Sequence, residues 1–342
     1  MEVHEFSLKH KLEWGQQKCK VMEIGNHKEM KNEWKLGDLA ITNCRTYTYL
    51  GEVISRDGKN EENLNARYEK VKNAVRSIIT CGRSEIMTRV GSSLLFQLHE
   101  SIIIPTMLYN AETWVLNKTE RKEVDKMDIW ALKKMFNLPI TTPTAAIIVT
   151  LGKLFASIRI EVKQLLYLQK VLKKKNTHWA RKTLEITHEH NIGWAKHIYE
   201  ILEKWELEKD WEKIAEKTFN TWKNEVKSAS EKRNIEKLND ECTTKSRGAT
   251  KIKTKTKTLE SILNNPSYIR KPDNFITKYD RILYTRTLII ARYGMLQCGA
   301  NYERMHGGKN CKECGILDNE DHRINFCEKW EKTNLFKNNS KV

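Results

Sequence analysis

From about Asn60 onward the apolar residues stop alternating and recur at three- and four-residue intervals. Leu64, Tyr68, Val71, Val75 and Ile78 therefore share one face of a helix, while Arg67, Lys70, Lys72 and Arg76 take other faces. A second helix is expected from Ser84 to Ile104, stopping before Pro105, whose ring disfavours helix at the residue ahead of it. A third opens on Asn117, three residues before Glu120, which is a capping-box pattern. Its stripe is Val124, Met127, Ala131, Met135 and Leu138, and Pro139 is expected to end it. Five prolines and fifteen glycines in 342 residues leave little to interrupt such helices. The chain should be mainly α, with a helical bundle over 59–140.

Strand signals are confined to the first 58 residues. They are Lys18 to Ile24, Leu39 to Thr42 and Thr46 to Ile54, bounded by the turn pairs Gly25-Asn26, Gly37-Asp38 and Asp57-Gly58. A small N-terminal β hairpin and strand region is the expectation. Residues 141–228 read as further helix, with one stripe through Ile158, Val162, Leu165 and Leu172 and another through Ile198, Ile201, Trp205, Trp211 and Ile214. Tryptophans at this spacing beside Ile and Leu are packing anchors more often than base-stacking platforms. Over 229–278 the composition turns polar and basic, which suggests a flexible linker. There Lys251, Lys253, Lys255 and Lys257 alternate with Ile and Thr. Two readings stand: lysines aligned on one side of an extended strand against phosphates, or a disordered basic tether. Residues 279–335 should hold one more helix, around Ile282, Thr285, Leu288 and Ile289, and a metal knuckle.

Charge narrows the partners. A formal net charge of +17, from 61 Lys and Arg against 44 Asp and Glu, favours RNA and DNA. The N-terminus has no apolar secretion signal, and the most apolar run, Leu94 to Leu108, is too short to span a bilayer and contains Pro105. The expectation is an intracellular protein, nuclear or cytoplasmic, with no membrane partner and no small-molecule substrate.

The sharpest chemical signal is Cys311, Cys314, His322 and Cys327, a C-x2-C-x7-H-x4-C spacing. Two thiolates three residues apart can take two corners of a tetrahedron from one tight turn, with Gly315 supplying permissive backbone. His322 and Cys327 would close the site with no position left for water, so the expected ion is a structural Zn2+ and not a catalytic one.

Several segments together resemble the C-terminal part of non-LTR retrotransposon reverse transcriptases. They are Tyr49-Leu50-Gly51 with Ile54 and Gly58, the basic helix after it, and Leu108-Tyr109-Asn110-Ala111-Glu112-Thr113-Trp114, where the family usually reads YLG and then LYG-E-W. Lys18-Cys19-Lys20 is similar to the family's KTK motif, and the terminal Cys and His spacing to its zinc knuckle. On that resemblance, 1–58 is the end of the palm, 59–140 the thumb, 141–228 a helical linker, 229–278 a basic linker and 279–335 the knuckle. The resemblance implies that Lys18 assists the leaving pyrophosphate. It also implies that Tyr49, Leu50 and Gly51 form the primer grip, and that Arg67, Lys70 and Arg76 meet template-primer phosphates. The family's Tyr-x-Asp-Asp has no counterpart here. Mg2+ would thus belong only to an intact parent polymerase, and this chain alone should not polymerise. The alternative is an independent zinc-containing nucleic-acid-binding module.

Overall fold

The computed structural model describes residues 2–15, 18–24, 34–37, 39–82, 91–244, 289, 308–312, 314–317 and 322. It is mainly helical, with a few short strands near the N-terminus. After α1 (Glu2–Lys9), β1 (Lys20–Val21) runs parallel to β3 (Leu39–Asn43), and β2 (Trp34–Leu36) pairs antiparallel on the other side of β3. The strand expected from Lys18 to Ile24 shrinks to Lys20–Val21, because β3 offers it only the partners Thr42 and Asn43.

β4 (Thr46–Tyr49) and β5 (Glu52–Ser55) form an antiparallel hairpin in which Tyr49 faces Glu52 across a two-residue turn. Leu50 (φ 47°) and Gly51 (φ 81°) both lie in the left-handed region, the requirement of a type I′ turn that follows strand twist. Glycine meets it freely. Leu50 does not, at a cost on the order of 1 kcal/mol, so other contacts must hold the tip.

α2 (Glu61–Gly82) carries Glu61 and Glu62 in its first turn, where they favour the positive end of the helix dipole, and it buries Leu64, Val71 and Val75. α3 (Ser92–Leu98) passes through a π-helical turn, His99–Ile103, into α4 (Ile104–Met107). The helix does not stop before Pro105. The Ile104 N–H reaches back to the His99 carbonyl, and this five-residue span widens the helix around a proline that has no N–H to satisfy.

α5 (Lys118–Met135) starts on the expected capping box. The Asn117 side chain accepts from the N–H groups of Thr119 and Glu120, and the Glu120 carboxylate accepts from Asn117 N–H. Val124, Met127, Ala131, Met135 and Leu138 are all buried. The helix ends ahead of Pro139 on Asn137 (φ 50°): Asn137 N–H bonds to Lys134 O and Leu138 N–H to Lys133 O, a Schellman closure.

Six further helices follow: α6 (Thr144–Thr150), α7 (Ala156–Leu172), α8 (Trp179–Glu189), α9 (Gly193–Lys204), α10 (Trp211–Glu216) and α11 (Phe219–Thr244). α7 is the hub. Its Gln164 donates to Trp114 O, its Gln169 to Ile214 O and Lys217 O, and its Leu165 carbonyl accepts the indole N–H of Trp222. A single apolar core takes in Leu64, Val124, Leu165, Ile198 and Trp222, so 59–140 and 141–228 share their interior. Trp205 and Trp222 are buried anchors, Trp211 is half-buried against the His188 ring, and Trp179 is exposed.

α11 runs through position 229, where the basic composition suggests a flexible linker. Trp222, Val226, Ser230, Asn234 and Leu238 form its buried row at four-residue intervals. Asn234 accepts from Phe155 N–H and donates to Lys153 O, so its amide is satisfied inside the core. Of the helix expected near 279–289, Ile289 alone is described, as a buried helical residue.

Candidate nucleic-acid interface and metal centre

The residues that carry the resemblance come together around the β4–β5 turn. Tyr109 Oη donates to Leu50 O at 3.0 Å, and Arg67 donates to Gly51 O at 2.8 Å with its guanidinium carbon 4.6 Å from the centre of the Tyr109 ring. Lys70 Nζ lies 3.5 Å from the same Gly51 carbonyl. Glu52 accepts the Trp114 indole N–H at 2.8 Å and an amide N–H of Asn110. Asn110 sits at φ 60°, a left-handed conformation that Gly adopts freely and Asn more readily than other residues.

The outcome is a fixed turn with an open tip. Tyr49 and Leu50 are 58% and 75% exposed, so neither side chain is buried by the hairpin. Arg67 is only 4% exposed and serves as a brace beneath the turn, not as a free contact. Burial pushes its pKa down, against the opposing charge of Glu52, yet its two partners retain the ion. Arg76 is exposed and bonds to Asn73 one turn back. Lys18 precedes β1 with an exposed side chain, and its carbonyl accepts from Tyr47 of β4 at 3.1 Å. Lys251, Lys253, Lys255 and Lys257 lie outside the described residues.

At the other end of the chain Cys311, Cys314 and His322 bring one potential ligand atom each to within 4.8 Å of the others, a set that could hold a metal ion. Cys314 Sγ is 3.1 Å from His322 Nε2. The turn is built as the spacing requires: Gly315 N–H bonds to Cys311 O, Cys311 N–H to Ile316 O, and Gly315 takes φ 72°. Asn310 and Leu317 bridge across the same loop. Cys327 lies outside the described residues.

Periodicity gave no sign of a charged cluster packed inside the helices. His99 in the π turn contacts Asp128 Oδ1 through Nε2 and Lys153 Nζ through Nδ1, both at 2.7 Å, and all three side chains are buried. Lys153 also meets Glu100, which is clamped by Arg159 with two bonds. Burial opposes ionisation of Glu100 and Asp128, but the neighbouring His99, Lys153 and Arg159 outweigh it and hold both carboxyls below their usual range. Burial wins at Lys153 and lowers its pKa.

Comparison with family models, with curated proteins and with solved structures gives no match. Among the described residues, no helix is long and apolar enough to cross a membrane.

Proposed function

We propose that this chain is a nucleic-acid-holding part of a reverse-transcriptase-like protein, similar to the C-terminal region of the non-LTR retrotransposon enzymes, and that it grips RNA and DNA through backbone phosphates. The observation that carries the reading is the β4–β5 tip. Its two carbonyls are pinned by Tyr109 and Arg67 while Tyr49 and Leu50 project outward beside Lys70. A strained turn held by Tyr109 and the buried Arg67 and presenting apolar side chains next to a cation suits the end of a primer-template helix: the rings and methyls pack on sugar or base, and the ammonium meets phosphate.

The Cys311, Cys314 and His322 set, with Cys327 as the fourth member, suits Zn2+, since thiolates and imidazole are its preferred ligands. Bound there, the ion would replace an apolar core for the short C-terminal segment. The sequence carries no Tyr-x-Asp-Asp, so the reading includes no nucleotide addition by this chain.

A primed RNA template tests it by fluorescence anisotropy across a salt series. Lys70→Glu with Arg76→Glu should weaken binding about tenfold and make the slope of log K against log salt shallower by roughly 2. Tyr49→Ala with Leu50→Ala should weaken binding at the primer end with little change in slope. Binding that ignores salt, or no binding at low salt, would overturn the proposal.

A further inference from the structure

A cleft separate from the hairpin runs between α5, α7, α9 and α11, with the beginning of α2 at its rim. Along its α5 wall Lys118, Lys122, Lys126 and Trp130 recur every four residues, so they form one row with steps of about 6 Å along the helix axis. The three lysines have no ion pair among the described residues, whereas the cations deeper in the cleft are neutralised, Arg121 by Glu161 and Lys237 by Asp125. Carboxylates line the cleft on α5, α7, α9 and α11, but on α5 Asp125 is taken by Lys237 and Glu120 by the helix cap, and on α7 Glu161 by Arg121. Lys196 on α9 is a further lining lysine with no ion pair among the described residues, so three of these four unpaired lysines stand on the α5 wall.

The row ends on an aromatic pair. Trp130 meets Tyr68 of α2 edge to face at 5.6 Å, and both rings are half-buried and line the cleft. Tyr68 follows Arg67, and a step of one residue turns about 100° around a helix, so α2 braces the hairpin with one face and lines the cleft with another. Cations in a line leading to an accessible aromatic pair are the two elements of single-strand recognition. Ammonium groups track the phosphates, and a base, unpaired and free to turn, stacks on the ring. A duplex offers the lysines equal charge but keeps its bases out of reach of Trp130. An acidic peptide would use the lysines and leave the indole without a purpose.

We infer that the α5 wall of this cleft is a single-strand nucleic-acid track, in which Lys118, Lys122 and Lys126 hold the phosphates and Trp130 with Tyr68 stacks a base. It is independent of the hairpin reading, which concerns the end of a duplex.

Two probes test it with the full chain: a uridine 12-mer RNA and a 12-base-pair duplex, titrated by anisotropy. Lys118→Gln, Lys122→Gln and Lys126→Gln together should weaken 12-mer binding at least about tenfold and make its salt slope shallower by roughly 2, since each phosphate neutralised on a single strand contributes about 0.7. Trp130→Leu keeps an apolar side chain at the site. It should weaken 12-mer binding by about tenfold, leave the salt slope unchanged and leave duplex binding within about twofold. Thermal melts near wild type qualify both variants, and Trp130→Phe, which restores a ring, should recover most of the affinity if Trp130→Leu perturbs folding. Wild-type 12-mer affinity in the lysine variant, or equal losses for 12-mer and duplex in Trp130→Leu, would overturn the track. Polyglutamate that displaces the 12-mer at equal charge concentration, without dependence on Trp130, would overturn it in favour of an acidic polypeptide. Loss of duplex binding on mutating Lys70 and Arg76, with 12-mer binding intact, keeps the two sites distinguishable.

Discussion

Glu52, the first residue after the β4–β5 turn, accepts the indole N–H of Trp114, which lies 62 positions later in the chain, at 2.8 Å. Trp114 is buried, and its own carbonyl accepts from Gln164 of α7, so this one carboxylate ties the hairpin to the helical core. Glu52→Ala leaves the buried indole N–H and the Asn110 amide unpaired. A bond to a charged acceptor contributes about 1.5–3 kcal/mol. Urea unfolding should show a loss of about that size, with Glu52→Gln recovering part of it. An unchanged midpoint in Glu52→Ala would mean that the hairpin is not anchored there.

The His99, Asp128 and Lys153 cluster makes a second mutational prediction. Asp128→Ala strips the nearest anion from the buried His99 imidazole and leaves Glu100 as the anion beside the buried Lys153 ammonium, and breaking a buried pair in this way costs about 3–5 kcal/mol. Lys153→Met, which removes a buried cation and keeps an unbranched apolar chain of similar reach, should cost much less, because Arg159 still pairs with Glu100. Equal losses in the two variants, measured by the same unfolding assay, would contradict this account of the cluster.

Those two networks also mark where the sequence was legible and where it was not. The α5 stripe and its Asn117 cap are local, set by residues within one or two turns of each other, and the structure has them as periodicity predicts. Arg67 read as a helix-surface cation because its stripe neighbours gave no hint that a hairpin would fold over it; only the long-range bond to Gly51 buries it. α11 was obscured for a related reason. Ser230 and Asn234 occupy core positions in its buried row, so the row does not register as apolar, although Asn234 is fully bonded by Phe155 and Lys153. Of the metal ligands, the spacing named three that the fold brings together, and the fourth, Cys327, lies outside the described residues.

Metal analysis of the purified chain should find one equivalent of zinc, and Cys311→Ser with Cys314→Ser should abolish it. A chelator should then release the metal from the unmutated protein, with increased proteolysis confined to the C-terminal segment and the helical core intact. Retention of zinc by the double variant would move the site elsewhere. Failure to find any metal in the unmutated chain would remove the knuckle from the functional reading.

His197 supplies a prediction in pH. Burial, with the charges of Arg121 and Lys204 adding to it, pushes its pKa from the ordinary 6.5 down to about 4. Between those values the unfolded chain binds a proton that the folded chain refuses, so stability is complete above about pH 6.5 and declines as pH falls toward 4. The gap corresponds to at most roughly 3 kcal/mol. The depressed carboxyls of Glu100 and Asp128 also lose stability in acid, but the unfolded values that start their loss lie near 4.5 and 3.8, and the Asp125 carboxyl, which burial raises, acts in the opposite sense, so it is the difference between parent and variant over pH 5 to 6.5 that reports on His197. His197→Gln removes the titration and keeps a polar side chain of similar size. Its unfolding free energy should be flatter than the parent's across that interval, by about one proton's worth of slope. Parallel curves for the two proteins would show that His197 takes up its proton without unfolding the chain.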